Sequence, residues 1–143
     1  MARERFRGAV PDGLLYDTRH DMWVREDGED IVIGATSLGT FHAGEIIAFT
    51  AKPRGAEVDN GRGLGTVECA KTVLAVHAPA AFVLTLANEE AEENPALICR
   101  DPYGRGWMVR GRPRDWAADR AALVDAAAYR RHALAMEPDA EIL

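Results

Sequence analysis

One lysine offers the clearest chemistry in this sequence. Among 143 residues there are 15 Arg but only two Lys, Lys52 and Lys71. Surface charge is supplied by Arg, so a general need for positive charge does not account for Lys71. It lies in Leu64-Gly-Thr-Val-Glu-Cys-Ala-Lys71-Thr-Val-Leu-Ala-Val-His-Ala-Pro79, two short β-prone runs with the lysine between them, closed by an Ala-Pro break. A primary amine at an exposed hairpin tip can form an amide with a carboxylic acid. The guanidinium of Arg stays protonated and is a poor acyl acceptor.

Other reactive types are sparse. His20, His42, His77 and His132 lack metal-ligand spacing, so surface or structural roles are expected and no metal site is. His77 is close enough in sequence to Lys71 to tune thiol chemistry there, although an ordinary strand residue is the plainer reading. Cys69 is two residues from Lys71 and would share its strand face if the pleat persisted. That leaves a redox role or a small core-filling side chain. There is no Gly-x-Ser-x-Gly, no phosphate loop and no adjacent nucleophile–base pair, so autonomous catalysis is not expected.

The bulk properties narrow the setting. A chain of 143 residues that is 48% hydrophobic and 28% charged reads as one globular domain with a real core. Its net charge of -6 argues against a nucleic-acid surface. The five Arg between Arg100 and Arg114 read as a solvated strand and loop face. Cys69 and Cys99 make no disulfide framework. No apolar run follows the basic start, and no stretch reaches membrane-spanning length, so a cytoplasmic protein without a signal peptide or membrane partner is expected.

Elements that could position Lys71 follow from turn and period signals. Residues 1–13 are polar with Gly and Pro and read as an arm. Asp27-Gly28 between β-prone runs predicts a hairpin. Thr36 to Ala43 predicts a short capped helix ended by Gly44. Ile46 to Thr50 predicts a strand, followed by turns at Lys52-Pro53-Arg54-Gly55 and Asp59-Asn60-Gly61. Further strands are expected near 65–70, 72–77, 82–86 and, as the last, 107–110, with a helical turn or two in 88–94 and a β-turn at Asp101-Pro102-Tyr103-Gly104. Asp115 reads as the cap of one C-terminal helix carrying Trp116, Leu123, Val124 and Ala127 at helical spacing. The acidic end, from Glu137, reads as loose. Many short strands with frequent turns predict a small barrel or sandwich with that helix packed on it.

Four patches, in order, resemble the H-protein family of lipoyl carriers related to the carrier of the glycine cleavage system. His20-Asp21-Met22-Trp23-Val24 is similar to the family's His-Glu-Trp-Val segment with a one-residue shift. Val67-Glu68-Cys69-Ala70-Lys71 is similar to its Val-Glu-Ser-Val-Lys lipoylation segment. Ala78-Pro79 stands where the family has Ala-Pro. Asn88, Asn94-Pro95, Asp101-Pro102-Tyr103-Gly104 and Gly106-Trp107 resemble its closing pattern. The resemblance spans about Leu14 to Tyr129.

The resemblance implies a mainly β, barrel-sandwich hybrid fold, lipoyl-domain-like, with short helices and a C-terminal helix. The domain would cover 14–131, between the arm 1–13 and an acidic tail 132–143. It implies a non-catalytic carrier, a monomer, with lipoate amide-linked to Lys71 and Glu68 read by the lipoate-attaching enzyme. It also implies a cleft beside the lysine, with Asp21, Cys69, Leu74 and His77 as candidate lining.

Departures bear on the cargo. The glycine-cleavage carriers run Ala-Ala-Ser-Asp or Glu after the lysine, where this chain has Thr72-Val73-Leu74-Ala75. An apolar cleft suits a sulfur intermediate. The Lys-Pro turn and the Arg-Asp-Trp-Ala-Ala run resemble lipoate-binding proteins of heterodisulfide-reductase-like sulfur oxidation, and client enzymes of that kind are expected first. The alternatives are the H protein of the glycine cleavage system, carrying an aminomethyl group to its enzymes, and an unmodified H-like interaction module. A biotin carrier is a distant third, because those proteins place Met on both sides of the lysine and here the neighbours are Ala70 and Thr72.

Overall fold

The structure is a computed structural model that describes residues 4–143. Its elements in chain order are β1 (Arg7–Gly8), β2 (Leu15–Asp17), β3 (Met22–Asp27), β4 (Asp30–Ala35), α1 (Ser37–Ala43), β5 (Ile46–Ala51), β6 (Glu57–Val58), β7 (Gly63–Cys69), β8 (Thr72–His77), β9 (Phe82–Ala87), α2 (Glu89–Glu93), α3 (Ala96–Arg100), β10 (Val109–Pro113), α4 (Trp116–Ala121), α5 (Ala126–Met136) and β11 (Glu141–Ile142). A six-stranded sheet in the order β2-β3-β4-β10-β9-β6 packs against a three-stranded sheet, β5-β7-β8. This is a barrel-sandwich hybrid.

Strand periodicity sorts the core into two. On β3 and β4, Val24, Ile31 and Ile33 face the three-stranded sheet and meet Phe49, Leu64, Val67 and Val76 in the main core. The alternate residues Trp23 and Val32 point to the other side. There a second core forms from Tyr16, Trp23, Val32, Leu38, Tyr129 and Ala133, closed by Phe6 and Val10. Both faces of Met22 to Val24 and of β4 are therefore buried, which explains their apolar runs, whereas Arg25, Glu26 and Asp27 at the end of β3 are exposed. Trp23 lies across Gly34, its cross-strand partner. A Cβ at Gly34 would fall 2.5 Å from the Trp23 ring, so only glycine fits.

Local chemistry shapes the expected elements well. Gly28 turns β3 into β4 with φ 63°. Thr36 caps α1 by accepting from the Gly39 N–H at 3.0 Å, and Gly44 ends it with φ 84°.

Four expectations are corrected. Residues 4–13 are not a free arm: Phe6 and Val10 are buried, and β1 pairs in parallel with β11. The Glu141 N–H donates to Phe6 O at 2.9 Å. Residues 1–3 lie outside the described residues. The acidic end is correspondingly ordered rather than loose, because it completes that ladder and buries Glu137. The C-terminal helix is two helices. Asp115 makes no side-chain cap bond to α4, while Asp125 caps α5 by accepting from Ala128 N–H at 2.9 Å. Val124, between them, bridges to Tyr16 through backbone bonds of 2.8 and 2.9 Å, a tertiary demand that breaks the helix. The strand expected at 107–110 begins at Val109 and is not the last.

Candidate functional site

β7 and β8 form an antiparallel hairpin whose final pair is Cys69 with Thr72, leaving Ala70 and Lys71 as its turn. Lys71 is exposed. Among the described residues its ammonium enters no ion pair. The arginines of the 100–114 segment differ: Arg105 meets Glu90, Arg110 meets Asp27 at 2.6 Å and Arg114 meets Asp59 at 2.8 Å. Lys52 follows β5 at the opposite end of the three-stranded sheet, where its N–H donates to Leu64 O at 2.9 Å.

Alternation on β7 places the residues before the tip. Glu68 is exposed on the outer face, between Ala48 and Val73. Cys69 points inward and joins the main core. Burial raises its thiol pKa, with a smaller contribution from Cys99. The expected shared face of Cys69 and Lys71 does not exist, because the strand ends at Cys69 and the turn rotates Lys71 out. Cys69 therefore fills core and leaves the cleft.

That cleft has a volume of about 310 Å³ and runs beside β8. Leu74, Ala75 and His77 form one wall, and Gly39, Thr40 and His42 of α1 face them. Ile46, Val67 and Met108 supply an apolar floor, and Arg19, His20 and Asp21 close one end. A roomier hollow of about 450 Å³, lined by Phe41, Ile46 and Cys99, lies between α1 and α3 and takes no lining from β7 or β8. Three of the four expected lining residues, Asp21, Leu74 and His77, thus come together. The expectation of an apolar cleft is half met. Leu74 and Ala75 are apolar as expected, but the facing elements contribute imidazoles, a guanidinium and a carboxylate.

These polar groups are held from behind. Asp17 is buried. Its Oδ1 accepts from the Arg19 N–H at 2.9 Å, and its Oδ2 lies 3.0 Å from His20 Nδ1. The His20 ring stacks on His77, with centroids 4.7 Å apart, and His77 Nδ1 donates to Gly61 O at 2.9 Å. Asp21 adopts φ 57°, the one positive φ outside glycine among the described residues. Its Oδ1 accepts from Tyr129 OH at 2.7 Å and meets His132 Nε2 at 2.9 Å. The same Tyr129 hydroxyl lies 2.8 Å from Thr36 Oγ1, the cap of α1. One phenol therefore ties Asp21 to the element forming the opposite wall. Burial, then the nearby Asp21 charge, pushes the Tyr129 pKa well above the ordinary tyrosine range.

Sequence reading missed Asp17, His20 and Tyr129 as parts of this site. Each acts through a partner distant in the chain or through a turn of unusual backbone, and none carries a spacing signal.

Comparison with known proteins follows the same lines. The family model described as Glycine cleavage H-protein matches residues 14–135. The chain belongs to the glycine cleavage H-protein family. Its relatives include the mitochondrial glycine cleavage system H protein of Oryza sativa subsp. indica, 34% identical over 128 residues, covering 90% of this chain and 77% of that protein. The glycine cleavage system H protein of Bacteroides thetaiotaomicron is 34% identical over 120 residues, covering 84% and 94%. The crystal structure of a glycine cleavage system H protein from Mycobacterium marinum superposes with TM-score 0.72 at 28% identity, covering 85% of this chain and 96% of that one. H proteins are non-catalytic carriers with lipoate amide-linked to a lysine, so membership bears out the carrier reading and its cofactor. The sulfur-oxidation subgroup gains no support from these relatives, and the glycine-cleavage alternative fits them better. Among the described residues, no helix is long and apolar enough to cross a membrane.

Proposed function

We propose that this chain is a lipoyl carrier loaded at Lys71 and serving the enzymes of a glycine cleavage system. The carrying observation is the placement of Lys71: an exposed amine on a two-residue turn, above an open cleft that follows the hairpin. The residues present fit the group. The amine is accessible for acylation, the cleft floor is apolar, and its end is polar. A bound lipoyl group would supply a dithiolane that opens and recloses by thiol–disulfide exchange.

The chain's own residues position and shelter. The β7–β8 ladder fixes the origin of the arm. Ile46, Val67 and Leu74 offer apolar contact along its path. Asp21 places a carboxylate at the cleft end, where a cationic cargo needs an acceptor to leave water. Glu68, outward and three residues before the lysine, is available to the lipoate-attaching enzyme. The free thiols Cys69 and Cys99 suit a reducing compartment such as the cytoplasm.

The test is direct. Incubate the protein with a lipoate ligase, map the modified peptide, then measure glycine-dependent carbon dioxide exchange with glycine decarboxylase. Loading at Lys71 and exchange comparable to an established H protein are expected. Loading with negligible exchange would remove glycine cleavage and leave only the carrier. Loading at Lys52, or none, would remove the site.

A further inference from the structure

We propose that His20, oriented by the buried Asp17 carboxylate and stacked on His77, is a proton-exchanging base for a thiol brought into the cleft. The inference rests on the carrier reading above and adds a residue-level role to it.

The arrangement separates the two ring nitrogens. Asp17 is 2% exposed and stands 3.0 Å from His20 Nδ1. A carboxylate accepts only, so Nδ1 carries the proton and Nε2 is left with the lone pair. A buried carboxylate behind an imidazole fixes its tautomer and orientation and stabilises the imidazolium that forms when Nε2 takes a proton. His77 packs on the ring face and is itself anchored through Nδ1 to Gly61 O. The ring of His20 is thus fixed on an edge and on a face, and it lines the cleft. Other charged or titratable groups around it are Arg19 and Asp21 on its own turn, His77 on β8 and His42 on α1.

Reach is consistent with this. At about 3.3 Å per residue, His77 lies about 17 Å along β8 from Thr72. A lysyl-lipoyl chain of about a dozen bonds of about 1.5 Å, zigzagged, has the same order of length. The cleft runs along that strand. In the step itself, a thiol S–H proton passes to His20 Nε2. The S–H bond breaks, an N–H bond forms, and the electron pair stays on sulfur as thiolate. The reverse transfer restores both groups, and no oxidant is consumed.

His20→Gln separates this role from a structural one. Gln can still donate to Asp17 but offers no basic nitrogen. Load the protein, confirm one lipoyl group by intact mass, reduce it, and follow alkylation of the arm by iodoacetamide against pH. At neutral pH the wild type should react about tenfold faster than His20→Gln, because the thiolate is the nucleophile. His77→Ala should fall between them, with melting temperatures unchanged. Equal rates and equal pH profiles would overturn the proposal. If Lys71 accepts no lipoyl group, the carrier reading fails by itself. Free dihydrolipoamide then serves as the probe, with imidazole nitrogen spectra as the readout. A shift of the His20 Nε2 signal supports the base, and no shift overturns it.

Discussion

The hairpin that presents Lys71 and the aromatic clamp behind β3 are held in opposite ways. On β8, Thr72, Val73, Leu74 and Ala75 are all exposed, Val73 at 62%. That strand is kept in place by its ladder to β7 and by one well-buried residue, Val76. In the clamp, Tyr16, Trp23 and Tyr129 are each 0% exposed. Their polar atoms are all satisfied: Tyr16 OH donates to Pro11 O at 2.6 Å, Trp23 Nε1 to Pro102 O at 3.0 Å, and Tyr129 OH to Asp21. The lesson is a division of labour. The group to be handed between enzymes sits on an exposed hairpin, while Asp21 and the α1 side of the cleft are anchored from behind by the fully buried Tyr129.

That contrast can be broken at either end. Lys71→Arg should abolish lipoyl loading outright and leave the melting temperature within a degree or two, because charge survives and the acylable amine does not. Residual loading, seen by intact mass, would mean another lysine serves. At the clamp, Trp23→Ala should cost about 3–5 kcal/mol in urea unfolding. A loss under about 1 kcal/mol would show that the second core repacks freely.

Tyr129→Phe removes the hydroxyl shared by Asp21 and Thr36 and should cost about 1–3 kcal/mol. It also sharpens a pH prediction. Burial raises the pKa of Tyr129 and of Tyr16 above the unfolded value. Below about pH 10 both states keep the phenol protons, and the stability is fully present. Above it the unfolded chain loses protons that the folded chain retains, so stability falls as pH rises. Tyr129→Phe should flatten that alkaline slope, and an unchanged slope would remove Tyr129 from the account. Smallest of all, Val73→Ser on the exposed strand should shift stability by less than about 0.5 kcal/mol. A larger loss would show that β8 leans on its outer side chains.

Much of the fold was legible because its turns are written in local chemistry. Gly28, Thr36, Gly44, Gly55 and Gly61 each sit where a cap or a positive φ is needed, and sequence alone locates them. Lys71 was legible for a similar reason, since the turn and its flanking strands are contiguous. What escaped was decided across distance. The break between α4 and α5 answers to Tyr16, more than a hundred residues upstream. The helical spacing of Trp116, Leu123 and Val124 concealed it. The His20–His77 stack and the Tyr129–Asp21 bond join segments that no periodicity links. Cys69 fills core, as the plainer of its two readings has it; its place in the cleft failed because the pleat does not persist through the turn. Of the cleft's polar half, Asp21 and His77 were legible, whereas Arg19, His20 and His42 escaped because nothing in their spacing ties them to the lysine.

The parallel ladder of β1 with β11 has a bearing on the order in which the molecule assembles. Arg7 pairs with Glu141, and Leu143 N–H donates to Gly8 O at 2.9 Å. Joining such distant segments closes a loop of almost the whole chain, whose entropy cost grows only logarithmically with length but is met before any reward arrives. Hairpins such as β3–β4 and β7–β8 need no such wait. The carrier hairpin therefore matures early and the strap across the second core closes late. By the same reckoning the strap is the first part to open by local fluctuation, with amide protons on Glu141 and Leu143 exchanging ahead of those on β7. The lysine and its cleft would then remain folded through openings that expose Phe6 and Val10.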